Sequence, residues 1–208
     1  MTIELYKSSL TIYGKEMFSN LSFIANSGER VAITSSVDGS GTLVLQSLLG
    51  MRCLDSGWVC VGGEPVQRST AAYFRRLMAY LPRQFAFGGA TIEDIAQQLW
   101  SEHRNKSRKY SADDVQRALE QIGVSSSCFS TSFSQLDVAT AQRALMSLTF
   151  MFDRPVALMD SPTLFQDIEG KRLVANYIAS PKFNDVAMVV ATNDAAILDV
   201  CDRVVKLI

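Results

Sequence analysis

The stretch VAITSSVDGSGTLVLQSLLG, Val31 to Gly50, decides the fold. Val31–Thr34 is almost wholly apolar and β-branched, the composition of a short strand buried on both faces. A serine- and glycine-rich turn follows, and Leu43–Leu49 then reads as an apolar helix. A strand that feeds a helix through such a turn aims backbone N–H groups and a helix N-terminus at one point, where negative charge is favoured. Yet no lysine lies between Lys15 and Lys106. The scaffold of an anion-binding loop is present without the cation that would grip the anion.

Working outward, Glu4 to Ala25 carries alternating apolar residues (Leu10, Ile12; Phe18, Leu21, Phe23) broken by Tyr13-Gly14-Lys15. That pattern predicts antiparallel strands joined by a turn. Downstream, Trp58–Val61 and Leu77–Leu81 read as strands, the second stopped at Pro82. Thr91-x-x-Asp94 opens a helix as a capping box. Ser111-x-x-Asp114 opens another, which Gly123 closes. Val124–Gln135 is a serine-rich loop and Asp137–Phe152 a strong helix. Pro155–Asp160 is a buried strand ending in an acid. Ile168–Ala179 is helical, Val186–Thr192 a strand, Ala195–Val200 a short helix and Arg203–Leu207 a last strand. Strands alternating with helices argue for a parallel sheet covered on both faces.

Composition sets the outer limits. The 208 residues fit one sizeable domain, and 48% hydrophobic content suffices for a real core. Twenty basic residues against twenty-one acidic ones leave a formal charge of −1, which predicts no nucleic-acid partner. Cys53, Cys60, Cys128 and Cys201 form no C-x-x-C pair, and His103 is the only histidine, so the residues predict no metal cluster. The thiols read as reduced and mostly buried. No charged leader opens the sequence, and no apolar run approaches the roughly 18 residues of a membrane span.

The order and spacing of these pieces resemble the nucleotide-binding domain of ABC transporters, closest to its exporter-like branch, from about Leu5 to Leu207. SGERVAI resembles the lead into the phosphate loop, and SGWVCVGGEPV the segment after the first helix. LMAYLPRQ resembles the strand into the Q-loop, and ATIEDIAQQL the start of the helical lobe. FDRPVALMDSPTLFQD resembles the Walker B strand and D-loop, and VVATNDAAILDVCDRVVKL the switch strand and last helix. The resemblance implies an α/β, P-loop NTPase-like fold. A mostly parallel sheet is flanked by helices, with an N-terminal antiparallel β part and a small α-helical subdomain. It implies a single cassette over 1–208, with 1–83 and 154–208 as the RecA-like core and 84–153 as the helical subdomain.

Residue by residue, the chemistry departs from the family. A working loop reads G-x-x-x-x-G-K-[ST]; its glycines turn N–H groups onto phosphate, its lysine neutralises the β/γ oxygens and its hydroxyl holds magnesium. An ungapped alignment puts Ser35 and Ser40 at the two glycines, Gly41 at the lysine and Thr42 at the hydroxyl. A one-residue shift rescues Gly39-Ser40-Gly41 but puts Thr42 at the lysine and Leu43 at the hydroxyl. Neither register supplies an ammonium, and Asp38 adds negative charge. One charge pair at 4 Å is worth roughly 4 kcal/mol at an effective dielectric of 20. Triphosphate affinity should therefore fall by orders of magnitude, unless Arg30 or Arg52 reaches across.

The Walker B acid is kept as Asp160, which with Thr42 would hold magnesium if nucleotide binds. The water-activating glutamate is replaced by Ser161 and the switch histidine by Asn193, neither a carboxylate base nor a proton acceptor. Counting back from Asp160 gives LDVAT, Leu136, Asp137, Val138, Ala139 and Thr140, in place of LSGGQ. The gapped alternative FSQLD keeps Ser134. Asp137 also has the makings of an N-cap. Gln142-Arg143 and the D-loop residues Pro162, Thr163 and Asp167 match. Arg83 stands where the Q-loop glutamine belongs, with Gln84 next to it. Tyr13 matches the aromatic that stacks on adenine. Phe85 to Thr91, with Phe85 and Phe87, reads as an apolar docking edge or as a lobe hinge packed on its own core.

The resemblance and its losses together imply a catalytically degenerate cassette, a pseudo-ATPase with no expected catalytic residues and weak or no binding of ATP and magnesium. Its implied place is cytoplasmic, on the inner face of a membrane, docked under transmembrane transporter subunits and paired with itself or another ABC-type domain. An LDVAT signature facing a partner would cripple the partner's site as well, which favours a structural or regulatory role. The alternatives are an active ABC ATPase with atypical motifs powering transport, and a soluble adaptor built on the same fold.

Overall fold

Alternation within the central strands explains the layers. In the strand Val156–Asp160 (β7), Val156 and Leu158 face one core cluster while Ala157 and Met159 face another; in Ala187–Ala191 (β8), Ala187 and Val189 oppose Met188 and Val190 in the same way. Both faces are covered, so every residue of both strands is buried and the sequence reads as an apolar run, broken only by Asp160 at the end of β7. The computed structural model describes residues 1–105 and 109–207.

Two sheets make up the core. Ile3–Ile12 (β1), Lys15–Ala25 (β2), Ser56–Val61 (β4) and Glu64–Pro65 (β5) form an antiparallel sheet in the order β2-β1-β4-β5. Its first hairpin closes over Tyr13 and Gly14, both at positive φ, with Ile12 opposite Lys15; this is the two-residue turn that matches strand twist. Arg30–Ser35 (β3), Met78–Leu81 (β6) and Arg203–Leu207 (β9) join β7 and β8 in a parallel sheet, ordered β6-β7-β8-β3-β9. The fold is thus the expected α/β arrangement with its antiparallel part.

The helix Ser40–Leu48 (α1) is buried between the two sheets against Val31, Ile33, Val156 and Leu158. Ala71–Arg75 (α2) is a short helix that the sequence reading did not contain. Ile92–Ser101 (α3) opens with the expected capping box, Thr91 and Asp94 each accepting from the other's backbone N–H. Ser111 caps Ala112–Glu120 (α4), and Val138–Thr149 (α5) begins behind Asp137. Their apolar faces, including Ile92, Trp100, Leu119 and Met146, share one cluster with Met159 and Met188 of the sheet. Ile168–Ile178 (α6) and Ala195–Leu198 (α7) complete the chain.

Two expectations change. No thiol is fully buried: Cys53 is exposed and the other three are half-buried. The first helix begins at Ser40 rather than Leu43, because Gly39, at φ 80°, turns the chain into it. Among the described residues, no helix is long and apolar enough to cross a membrane.

Candidate functional site

Parallel pairing of β3 with β8 and of β8 with β7 brings the carboxyl ends of these strands side by side. Ser35, Asp160 and Thr192-Asn193 therefore meet at one edge, where open α/β sheets place ligands. A cleft of about 360 Å³ opens there. It is lined by the loop residues Ser35, Asp38, Gly39, Gly41 and Thr42, by Asp160 and Ser161, and by Asn193. Most of the sequence-assigned loop and switch positions thus converge. Ser40 does not line this cleft: it is fully buried, and its hydroxyl has no hydrogen-bond partner among the described residues.

Asn193 extends the β3–β8 ladder by one rung with its side chain. Thr192 N–H donates to the Ile33 carbonyl. Beyond it, Asn193 Nδ2 donates to the Ser35 carbonyl at 2.8 Å, and Ser35 N–H donates to Asn193 Oδ1 at 3.1 Å. The carboxamide stands in for a peptide unit. Ser35 Oγ in turn accepts from Val37 N–H at 2.9 Å.

Two bases reach the cleft, and neither is Arg30 or Arg52. Arg30 Nε donates to the Ile178 carbonyl, and Arg52 Nε to Gln46 in an adjoining groove. Arg83 Nη1 instead lies 2.7 Å from Asp38 Oδ1, and Lys171 Nζ lies 2.9 Å from Asp194 Oδ2. The hydrogen bond from Arg83 holds the Asp38 carboxyl below its usual range. Burial pushes Asp194 up, but Lys171, Thr163 and the N–H of Ala196 together bring it below the ordinary value. Lys171 was missed in the sequence reading; its only signal was its place one helical turn after Asp167.

Asp160 is 1% exposed. Burial pushes its carboxyl up, against the pull of the Thr42 and Ser161 hydroxyls and of Arg83. Ser161 Oγ donates to Oδ1 at 3.1 Å, while Oδ2 has no hydrogen-bond partner among the described residues. The cleft therefore sets three acids, Asp38, Asp160 and Asp194, against two bases that are already paired.

The signature-like segment is tied to the D-loop by amides. Asp137 caps α5 through Thr140 N–H at 2.9 Å; Leu136 is half-buried and Val138 exposed. Gln166 Nε2 donates to the Ala139 carbonyl at 3.0 Å and to Gln142 Oε1 at 2.8 Å, and Gln142 Nε2 donates to the Ser161 carbonyl at 3.2 Å. Asp167 caps α6 through Gly170 N–H. Beyond Arg83, Gln84 is exposed, while Phe85 and Phe87 are half-buried, with the Phe87 ring tilted against Phe133 at a centroid distance of 4.8 Å and Phe85 edge-on to Phe165 at 6.5 Å. Tyr13 lies outside this cleft, fully exposed at the hairpin tip.

These residues fit half of a magnesium–triphosphate. A hard cation suits Thr42 and the unpartnered Asp160 oxygen. The phosphate half does not fit, because neither Gly41 nor Thr42 supplies an ammonium and both cleft cations are bound to carboxylates.

No family model matches the chain. It is 24% identical over 215 residues, covering 99% of itself, to a putative ribose/galactose/methyl galactoside import ATP-binding protein of Geobacillus kaustophilus. It is 26% identical over 163 residues to a cytochrome c biogenesis ATP-binding export protein of Nitrobacter hamburgensis, covering 78% of this chain and 77% of that one. A bacterial ABC transporter cassette solved as a dimer superimposes with a TM-score of 0.84 at 16% identity, over 99% of this chain and 94% of that one. The fold is that of an ABC nucleotide-binding domain. Import and export proteins are both matched, so these relatives do not single out the exporter-like branch of the cassettes. The chain spans 42%, 27% and 41% of the lengths of the first three curated relatives, less than half of each.

Proposed function

We propose that this cassette is a pseudo-ATPase: a structural or regulatory component of an ABC transporter-like membrane assembly, with weak or no nucleotide binding. Its place would be the cytoplasmic face, under transmembrane subunits and paired with itself or another ABC-type domain. The observation that carries the reading is the state of the cleft's charges. Arg83 and Lys171 are each neutralised by an aspartate, and Ser161 and Asn193 offer no base. An activated water and a γ-phosphate clamp each commonly contribute roughly 10²–10⁴-fold to turnover. With neither supplied, turnover should be negligible.

The test is calorimetric titration with ATP and magnesium, together with phosphate release by the purified chain. No saturable heat below about 10 μM, roughly −7 kcal/mol, and no release above buffer are the expected results. Tight binding with steady release abolished by Asp160→Ala would establish the second reading, an active ATPase with atypical motifs. That reading draws on the unpartnered buried oxygen of Asp160 beside Thr42. Recovery with membrane proteins from detergent extracts supports the transport assembly; a purely soluble partner supports the adaptor.

A further inference from the structure

The departures around the loop touch one another. Asn193 holds the peptide of Ser35, and Ser35 Oγ holds Val37 N–H. Ser40 N–H donates to the Val37 carbonyl at 3.2 Å. The Asp38 carboxylate is held by Arg83 Nη1 at 2.7 Å. The amides of Ser35, Val37 and Ser40 are therefore already bonded within the chain. Ser35, Asn193 and Arg83 stand at three positions where the family pattern differs, and Asp38, at an unconstrained position of the loop, joins them in one set.

We propose that the loop is self-liganded: Asn193 and Ser35 take up the amides of Ser35 and Val37, and Arg83 ties the lobe hinge to Asp38 without any ligand. Arg83 lies directly after β6 and Pro82, where the chain leaves the sheet for α3. Its pair with Asp38 spans 45 residues of sequence. The contact links the hinge to the loop. The hinge segment Arg83–Gly89 is thereby held in one setting whatever the nucleotide concentration. That this setting serves docking rests on the proposed function; the self-liganding does not.

Hydrogen exchange on the full chain tests it, followed in peptides covering 33–42 and 82–90. The wild type should show slow exchange in the loop, unchanged by ATP and magnesium. Asn193→Ala should speed loop exchange roughly tenfold, as expected for two lost hydrogen bonds. Arg83→Gln should speed both peptides, Asp38→Asn should do the same, and the double variant should do no more than either. The charge swap Arg83→Asp with Asp38→Arg should restore slow exchange. Additive effects, or a hinge peptide indifferent to Asp38, would overturn the tie. An unchanged loop in Asn193→Ala would overturn the self-liganding. Nucleotide-dependent protection of the wild-type loop would overturn the ligand-independent setting. Steady phosphate release would instead count against the pseudo-ATPase reading, and the exchange comparisons among variants would still stand.

Discussion

Gly41 faces Ala191 so closely that a Cβ at Gly41 would lie 2.9 Å from the Ala191 Cβ. Real Cβ atoms do not approach that near, and Ala191 is fixed in a strand buried on both faces. Helix α1 has settled onto β8 at the position where the ungapped alignment places the missing lysine. Gly41→Lys alone should therefore not restore nucleotide affinity, and Gly41→Ala should cost about 1–3 kcal/mol by overpacking. The combination Gly41→Lys with Ala191→Gly should recover stability relative to Gly41→Lys. Thermal melts and ATP titration check this; micromolar binding by Gly41→Lys alone would refute the steric argument.

Asp160 carries a burial cost that depends on pH. Its folded pKa is raised, so stability is greatest below the unfolded value of 3.8 and falls as pH rises through the folded value. Asp160→Asn should therefore melt higher than the wild type at pH 7, by about 2–4 °C if the gain is 1 kcal/mol. The difference should shrink at acid pH. Melting curves from pH 4 to 8 give the answer, and a variant that melts lower throughout would mean the carboxylate is well satisfied.

Asp194 has the opposite sign. Its folded pKa is lowered, so its contribution is present above 3.8 and is lost as pH falls through the folded value. Asp194→Ala removes the cap of α7 and the acceptor of both Thr163 and Lys171. The loss should be about 1–2 kcal/mol at pH 7. Denaturant midpoints at pH 7 and pH 3 should show a large gap between variant and wild type at the first and a small one at the second.

Gln142 is fully buried and links the signature-like helix to the residue after Asp160. Gln142→Leu leaves the Ser161 carbonyl and Gln166 without that partner, a loss of about 1–3 kcal/mol. Gln166→Leu, tested beside it, should be less than additive with it, because the two share one bond. A double-variant cycle by urea unfolding measures the coupling, which should be near zero if the network is incidental.

The sheet was legible wherever burial was two-sided. Val156–Asp160 and Ala187–Ala191 read as strands because no polar residue interrupts them, and Arg203–Leu207 matched to the residue. The caps at Thr91, Ser111 and Asp137 were legible because each hydrogen bond closes within three residues. The start of α1 was not, since serine and glycine read as turn and only the tertiary position of Gly39 decides otherwise. Nor were the partners of Arg83 and Lys171. Asp38 lies 45 residues before Arg83, and Asp194 reaches Lys171 only through β8 and the turn after it. The sequence shows which charges are missing from a motif; the chain path shows which others arrive.

Tyr13 sits at φ 51°, in a left-handed turn that ordinary side chains enter at a cost, and it is fully exposed. Glycine or asparagine would close the same hairpin more cheaply. An aromatic ring held clear of the strands adds nothing to their packing, so the sheet beneath does not depend on it.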